Sequence, residues 1–101
     1  MMKKTKILYL HGFNSSPQSY KAQQLINYMQ QRGCDDLLVC PQLPAYPEQA
    51  RLLMEEIVEE ILLDYHLNVA GSSLGGYYAT YLAEKYGTNA VLINPSVKPY
   101  E

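Results

Sequence analysis

Apolar residues fall along this chain in short runs separated by longer helical repeats. Thr5–Leu10 is a compact apolar run and reads as a buried strand. A loop of small polar residues follows, and Ser16 before Pro17 has the form of a helix N-cap and first helical position. That helix is predicted to run to about Gln31, with Ala22, Leu25, Ile26 and Met29 on one face and Gly33 as its stop. Residues 37–40 form a second strand, halted by Pro41, and Pro47 suits the start of the next helix. From Glu48 to about Asp64 the apolar positions are Ala50, Leu53, Met54, Ile57, Val58, Ile61 and Leu62, a helical stripe. Glu55, Glu56, Glu59 and Glu60 fall mainly on the other side and read as a solvated face. Residues 67–70 make a third strand, residues 73–86 a helix ended by Gly87, and residues 90–93 a fourth strand closed by Asn94-Pro95.

Strands that alternate with helices predict an α/β fold: a parallel sheet of about four strands, with right-handed crossovers placing helices on both faces. With the strands in the order second, first, third, fourth, the chain reverses direction between the first and third. Open α/β sheets bind ligands at such a switch point, at the carboxyl ends of the strands. There the loop after the first strand would meet the turn after the third.

Composition narrows the functional classes. A chain of 101 residues makes one domain at most, and with 48% hydrophobic residues it can fill a core. The formal charge is -2 and no Lys/Arg cluster occurs, which argues against nucleic acid as a partner. No apolar stretch approaches a membrane span, and the apolar run that ends at Leu10 is too short for a signal peptide. Cys34 and Cys40 fit no metal pattern; they read as free thiols of a cytoplasmic protein, and no metal or cofactor is expected.

The candidate chemistry lies in Gly71-Ser72-Ser73-Leu74-Gly75, which fits the G-x-S-x-G nucleophile elbow. A serine on a sharp strand-to-helix turn needs small neighbours two places away, because the turn brings them together. For Ser73 these are Gly71 and Gly75; for Ser72 they would be Ala70 and Leu74, and leucine does not fit. The spacing therefore selects Ser73 as the nucleophile. The Leu74 N–H, at the helix start, is placed to stabilise a developing oxyanion. The Phe13 N–H is the candidate second donor, with Gly12 allowing close approach of the backbone. A phosphate-binding loop is the rival reading of this Gly-rich turn, but Gly71-Ser72-Ser73-Leu74-Gly75-Gly76 lacks the P-loop lysine.

A triad needs an acid and a histidine, which in this order of elements come after the serine. No aspartate and no histidine follows Ser73. His66 begins the third strand, and at about 3.3 Å per residue it belongs at the opposite edge of the sheet from Ser73. His11 lies at the correct end; it reads as a residue that shapes the oxyanion loop through hydrogen bonds, with a role as base the alternative. Tyr77, Tyr78 and Tyr81 read as core and rim of the last helix, with pocket lining the alternative.

Leu8-Tyr9-Leu10-His11-Gly12-Phe13-Asn14-Ser15-Ser16-Pro17, Pro41-Gln42-Leu43-Pro44, the segment from Gly71 to Thr80 and Asn94-Pro95-Ser96-Val97-Lys98-Pro99-Tyr100 together resemble the YqiA-like family of small bacterial α/β-hydrolase esterases. The resemblance spans essentially the whole chain. It implies a cytoplasmic serine esterase or thioesterase acting on simple acyl esters or acyl-CoA thioesters, with Ser73 as nucleophile and oxyanion donors near Phe13 and Leu74. It also implies that the triad acid and histidine belong to a carboxyl-terminal half, so that residues 1–101 form a partial hydrolase domain. Such a domain would be a weak catalyst and would leave the edge of its fourth strand open to self-association. A non-catalytic binding or interaction module derived from a hydrolase is the alternative function.

Overall fold

The computed structural model describes residues 3–11, 20–72 and 74–92. Within them the chain builds β1 (Thr5–Leu10), α1 (Tyr20–Gln31), β2 (Leu38–Val39), α2 (Pro47–Leu62), β3 (His66–Gly71), α3 (Leu74–Tyr86) and β4 (Asn89–Leu92). The four strands form one sheet in the order β2-β1-β3-β4, with every pair parallel. This is the order assumed in the sequence reading, and it puts the reversal of direction between β1 and β3.

The layers follow from handedness. The step from β1 to β2 moves one way across the sheet, and the later steps move the other way. Right-handed crossovers therefore send α1 to one face and α2 and α3 to the other. The buried side chains agree. Leu8 and Leu10 of β1 and Leu67 and Val69 of β3 pack with Ala50, Met54, Val58 and Ile61 of α2 and Tyr78, Ala79 and Leu82 of α3. The alternate residues Tyr9 and Ala70 face Leu25 of α1 together with Ile7, Leu38 and Cys40. The protein is thus a three-layer α/β domain.

Local chemistry sets most of the boundaries. Gly33 has φ 70°, and the Cys34 N–H to Met29 and Gly33 N–H to Gln30 bonds, at 3.0 and 3.1 Å, close α1 in a Schellman motif. Gly87, also at φ 70°, ends α3 through one 2.9 Å bond from its N–H to the Ala83 carbonyl. Pro47 opens α2, as expected. The predicted start of α1 at Ser16 and Pro17 lies outside the described residues.

Two boundaries differ from the sequence reading. The second strand, expected over residues 37–40, is only Leu38–Val39, because Asp35–Leu37 winds into a 3-10 turn tied by the Leu37 N–H to the Cys34 carbonyl at 3.0 Å. The third strand is longer than expected, His66–Gly71, because all six of its residues find register partners in β1, from Thr5 opposite His66 to Leu10 opposite Gly71. At the sheet's edge all four residues of β4 are exposed, with Val91 at 50% and Leu92 at 48%. Ile93, expected to end this strand, lies outside the described residues.

The acidic side of α2 is a correction. Glu56 and Glu60 are exposed, as a solvated face requires. Glu55 is only 9% exposed, since this flank of α2 turns toward α3. Its carboxylate accepts from the Tyr81 hydroxyl at 2.6 Å, from the Lys85 ammonium at 2.9 Å and from Arg51 at 3.3 Å. The Tyr81 bond foremost, and then the Lys85 bond, hold its carboxyl down at about 2. Glu59 accepts from the Tyr86 hydroxyl at 2.7 Å. Burial, followed by that bond, pushes the Tyr86 phenol up to about 12. Two of the four glutamates therefore link α2 to α3.

Candidate active site

The carboxyl ends of β1 and β3 lie side by side, and α3 begins at Leu74, close after β3 ends at Gly71. Ser73, Phe13 and Gly12 lie outside the described residues. Leu74 is the first residue of α3, which puts its N–H at the positive end of that helix.

The turn is shaped by glycines. A Cβ on Gly71 would sit 2.7 Å from the Gly76 nitrogen and run into the Gly75 carbonyl. One on Gly75 would come within 2.7 Å of the Leu10 carbonyl carbon and 2.9 Å of the His11 oxygen, and would meet the Leu10 oxygen. The obstructing atoms are backbone and cannot rotate away. These are the two positions the G-x-S-x-G spacing required to be small. The physical reason is now specific: Gly71 lets the start of α3 fold back on the end of β3, and Gly75 lets α3 rest on the end of β1.

Hydrogen bonds fix the same turn. The Ser72 N–H donates to the Leu10 carbonyl at 3.3 Å, and the Gly75 N–H donates to the Ser72 carbonyl at 2.8 Å. The Ser72 hydroxyl pairs with the Tyr9 hydroxyl at 3.0 Å in a buried setting on the α1 face. Tyr9 is register partner to Ala70, and the small alanine lets its ring reach past to Ser72. Sequence reasoning missed this pair. The alternation of Tyr9, Ala70 and Ser72 on one face of adjacent strands was the available signal.

His11 is buried at the end of β1, and its Nε2 accepts the Leu43 N–H at 2.9 Å. That bond occupies the Nε2 lone pair and places the ring's proton on Nδ1. It ties the β1 end to the Pro41-Gln42-Leu43-Pro44 segment, the loop after β2; the oxyanion loop that His11 is expected to shape lies outside the described residues. His66 is exposed at the first position of β3, at the far edge from the turn, as its place in the sequence required.

Tyr78 is buried, Tyr77 is 70% exposed, and their rings meet edge to face at 5.9 Å between centroids. With Tyr81 and with Pro47, Glu48 and Arg51 of α2 they line a cleft of about 240 Å³. Core and rim describe Tyr78 and Tyr77, and both also line this cleft.

Among the described residues no cluster of three or more His, Cys, Asp or Glu could hold a metal, and no helix is long and apolar enough to cross a membrane. Cys34 and Cys40 are free thiols, and burial pushes the Cys40 thiol up, away from reactivity.

Fold and turn together define a three-layer α/β protein with a glycine-cleared strand-to-helix turn at the topological switch point of its sheet. Residues 6–101 match the profile described as Uncharacterised protein family (UPF0227), and the chain belongs to that family, the YqiA-like family of the sequence resemblance. It is 28% identical over 99 residues to a "UPF0227 protein" of Shewanella woodyi (strain ATCC 51908 / MS32), an alignment covering 94% of this chain and 53% of the relative. The chain thus spans about half the length of the curated relative it matches.

Proposed function

We propose that this chain carries the nucleophile half of a serine hydrolase that cleaves carboxylic esters or acyl thioesters through an acyl-enzyme on Ser73. The observation that carries the reading is the backbone clearance at Gly71 and Gly75, two places to either side of Ser73, at the carboxyl edge of a parallel sheet. Close approach at both positions is what a nucleophile elbow needs.

In the proposed reaction the Ser73 hydroxyl adds to the acyl carbon, and the Leu74 and Phe13 N–H groups stabilise the oxyanion. The alcohol or thiol leaves with a proton from a histidine that first took the serine's proton. Water then adds to the acyl-enzyme, releasing the acid and restoring the serine. His11 is committed to Leu43 through Nε2. The base and its orienting carboxylate are accordingly assigned to sequence beyond residue 101, in keeping with a relative of about twice this length. The protein acts in the cytoplasm on a small acyl substrate, without metal or cofactor. Residues 1–101 alone retain the oxyanion donors, worth a residual acceleration of roughly 10³-fold over water.

Ser73→Ala in the protein at its full natural length tests this. Hydrolysis of a short-chain ester should fall by about 10³-fold or more, and undiminished turnover would refute the mechanism. The exposed edge of β4 supports a second reading, in which the domain serves as an interaction module that pairs strand to strand with a partner. Covalent labelling of Ser73 by a fluorophosphonate distinguishes the two, since only the hydrolase activates the serine.

A further inference from the structure

We infer that the cleft between the N-terminal halves of α2 and α3 is the acyl pocket of this protein, one that selects linear acyl chains of medium length; the inference rests on the serine-hydrolase reading above. Position is the first support. In a parallel sheet each helix that follows a strand begins at the carboxyl edge, so α2 and α3 both start on the edge that carries the Gly71–Gly75 turn. Tyr77 and Tyr78 lie three and four residues beyond Leu74, a rise of about 4.5 to 6 Å along α3. These two lining residues therefore lie about one helical turn from the amide assigned to the oxyanion.

The second support is how its polar groups are spent. Tyr81 and Arg51 would make this a polar cleft if their heads faced it freely. The Tyr81 hydroxyl instead donates to Glu55 at 2.6 Å, and the Arg51 guanidinium is held by the same carboxylate at 3.3 Å. What remains for a ligand is the Tyr77 and Tyr78 side chains, the Tyr81 ring, Pro47 and the Arg51 methylenes. Glu48, exposed in the first turn of α2, completes the lining. A preformed apolar wall of this kind binds hydrocarbon.

Volume sets the length. With each chain carbon taken as about the size of a water, about 30 Å³, the cleft of about 240 Å³ takes a chain of about eight carbons. Each methylene buried should raise kcat/KM about fourfold until the cleft is full.

The test uses the protein at its full natural length and a series of 4-nitrophenyl esters from acetate to dodecanoate. kcat/KM should climb about fourfold per methylene and level off near octanoate. Tyr77→Ala should lower the octanoate-to-acetate ratio by about tenfold, while Tyr28→Ala, on α1, leaves that ratio alone. Hydrolysis with no chain-length slope, or a slope that Tyr77→Ala leaves intact, overturns the acyl pocket and spares the serine mechanism. If no ester is cleaved, the mechanism falls, and the pocket is then tested by titrating sodium octanoate while following tyrosine ring protons by NMR. Selective shifts of the Tyr77, Tyr78 and Tyr81 rings sustain an acyl-binding cleft, and their absence overturns it.

Discussion

Gly75 and Gly76 are neighbours in the first turn of α3, and alanine should act on them with opposite sign. Helix propensity treats the two positions alike: Gly→Ala in a helix gains about 1 kcal/mol. Their surroundings differ. At Gly76 the nearest obstacle to a new Cβ is the Leu92 Cδ2 at 3.3 Å, the tip of a half-exposed side chain that can turn aside. The crowding costs a few tenths of a kcal/mol, so Gly76→Ala should stabilise by about 0.5 kcal/mol. At Gly75 the Cβ would meet the backbone of Leu10 and His11, with the Leu10 carbonyl carbon at 2.7 Å against a contact optimum of about 3.5 to 4.0 Å. Relief requires β1 and α3 to part by about 1 Å across a close-packed layer, which places the cost at the top of the overpacking range, about 3 kcal/mol. Net of propensity, Gly75→Ala should destabilise by about 2 kcal/mol. The two variants then differ by about 2.5 kcal/mol, a gap of about 2.5 M in urea midpoint for a slope near 1 kcal/mol/M. Equilibrium urea unfolding followed by far-ultraviolet circular dichroism measures this directly. A Gly75→Ala variant as stable as the wild type would refute the close approach of α3 to β1, and with it the geometric basis for an elbow at Ser73.

Three further outcomes follow from named contacts. Glu55, held near 2 in the fold against an ordinary value of 4.5, adds stability that is full above about 4.5 and is lost as pH falls toward 2; Glu55→Gln should flatten that acid limb in a pH series of unfolding curves. Tyr9→Phe or Ser72→Ala alone leaves a buried hydroxyl without its partner and should cost about 1 to 2 kcal/mol, whereas the double variant should cost less than the sum; strict additivity in the unfolding data would mean the pair does not interact. The exposed Val91 and Leu92 edge should drive self-association of the 101-residue chain; Val91→Lys should lower its sedimentation-derived mass, and a wild-type chain monomeric at high concentration would refute that use of the edge.

The sequence by itself determined the alternation of strands and helices, the parallel sheet, the stops at Gly33 and Gly87 and the start at Pro47. These depend on period and on residue-specific backbone chemistry, which neighbours in sequence supply. It also identified Gly71 and Gly75 as the two positions that the approach of α3 to β3 and β1 requires to be small. What it could not determine rests on side chains brought together from distant positions. The acidic flank of α2 looked uniform in sequence, and only the approach of α3, carrying Tyr81, Lys85 and Tyr86, separated Glu55 and Glu59 from Glu56 and Glu60. The shortness of β2 was hidden because a 3-10 turn and a strand end can share the same apolar residues. His11 offered two roles from its place in the chain, and the Leu43 N–H, 32 positions away, occupies the lone pair that a base would need. The pairing of Tyr9 with Ser72, 63 positions apart, and the Tyr81 hydroxyl spent on Glu55 likewise belong to the tertiary structure alone. A hydrogen-bonding side chain declares its chemistry in the sequence, but its partner is chosen by packing.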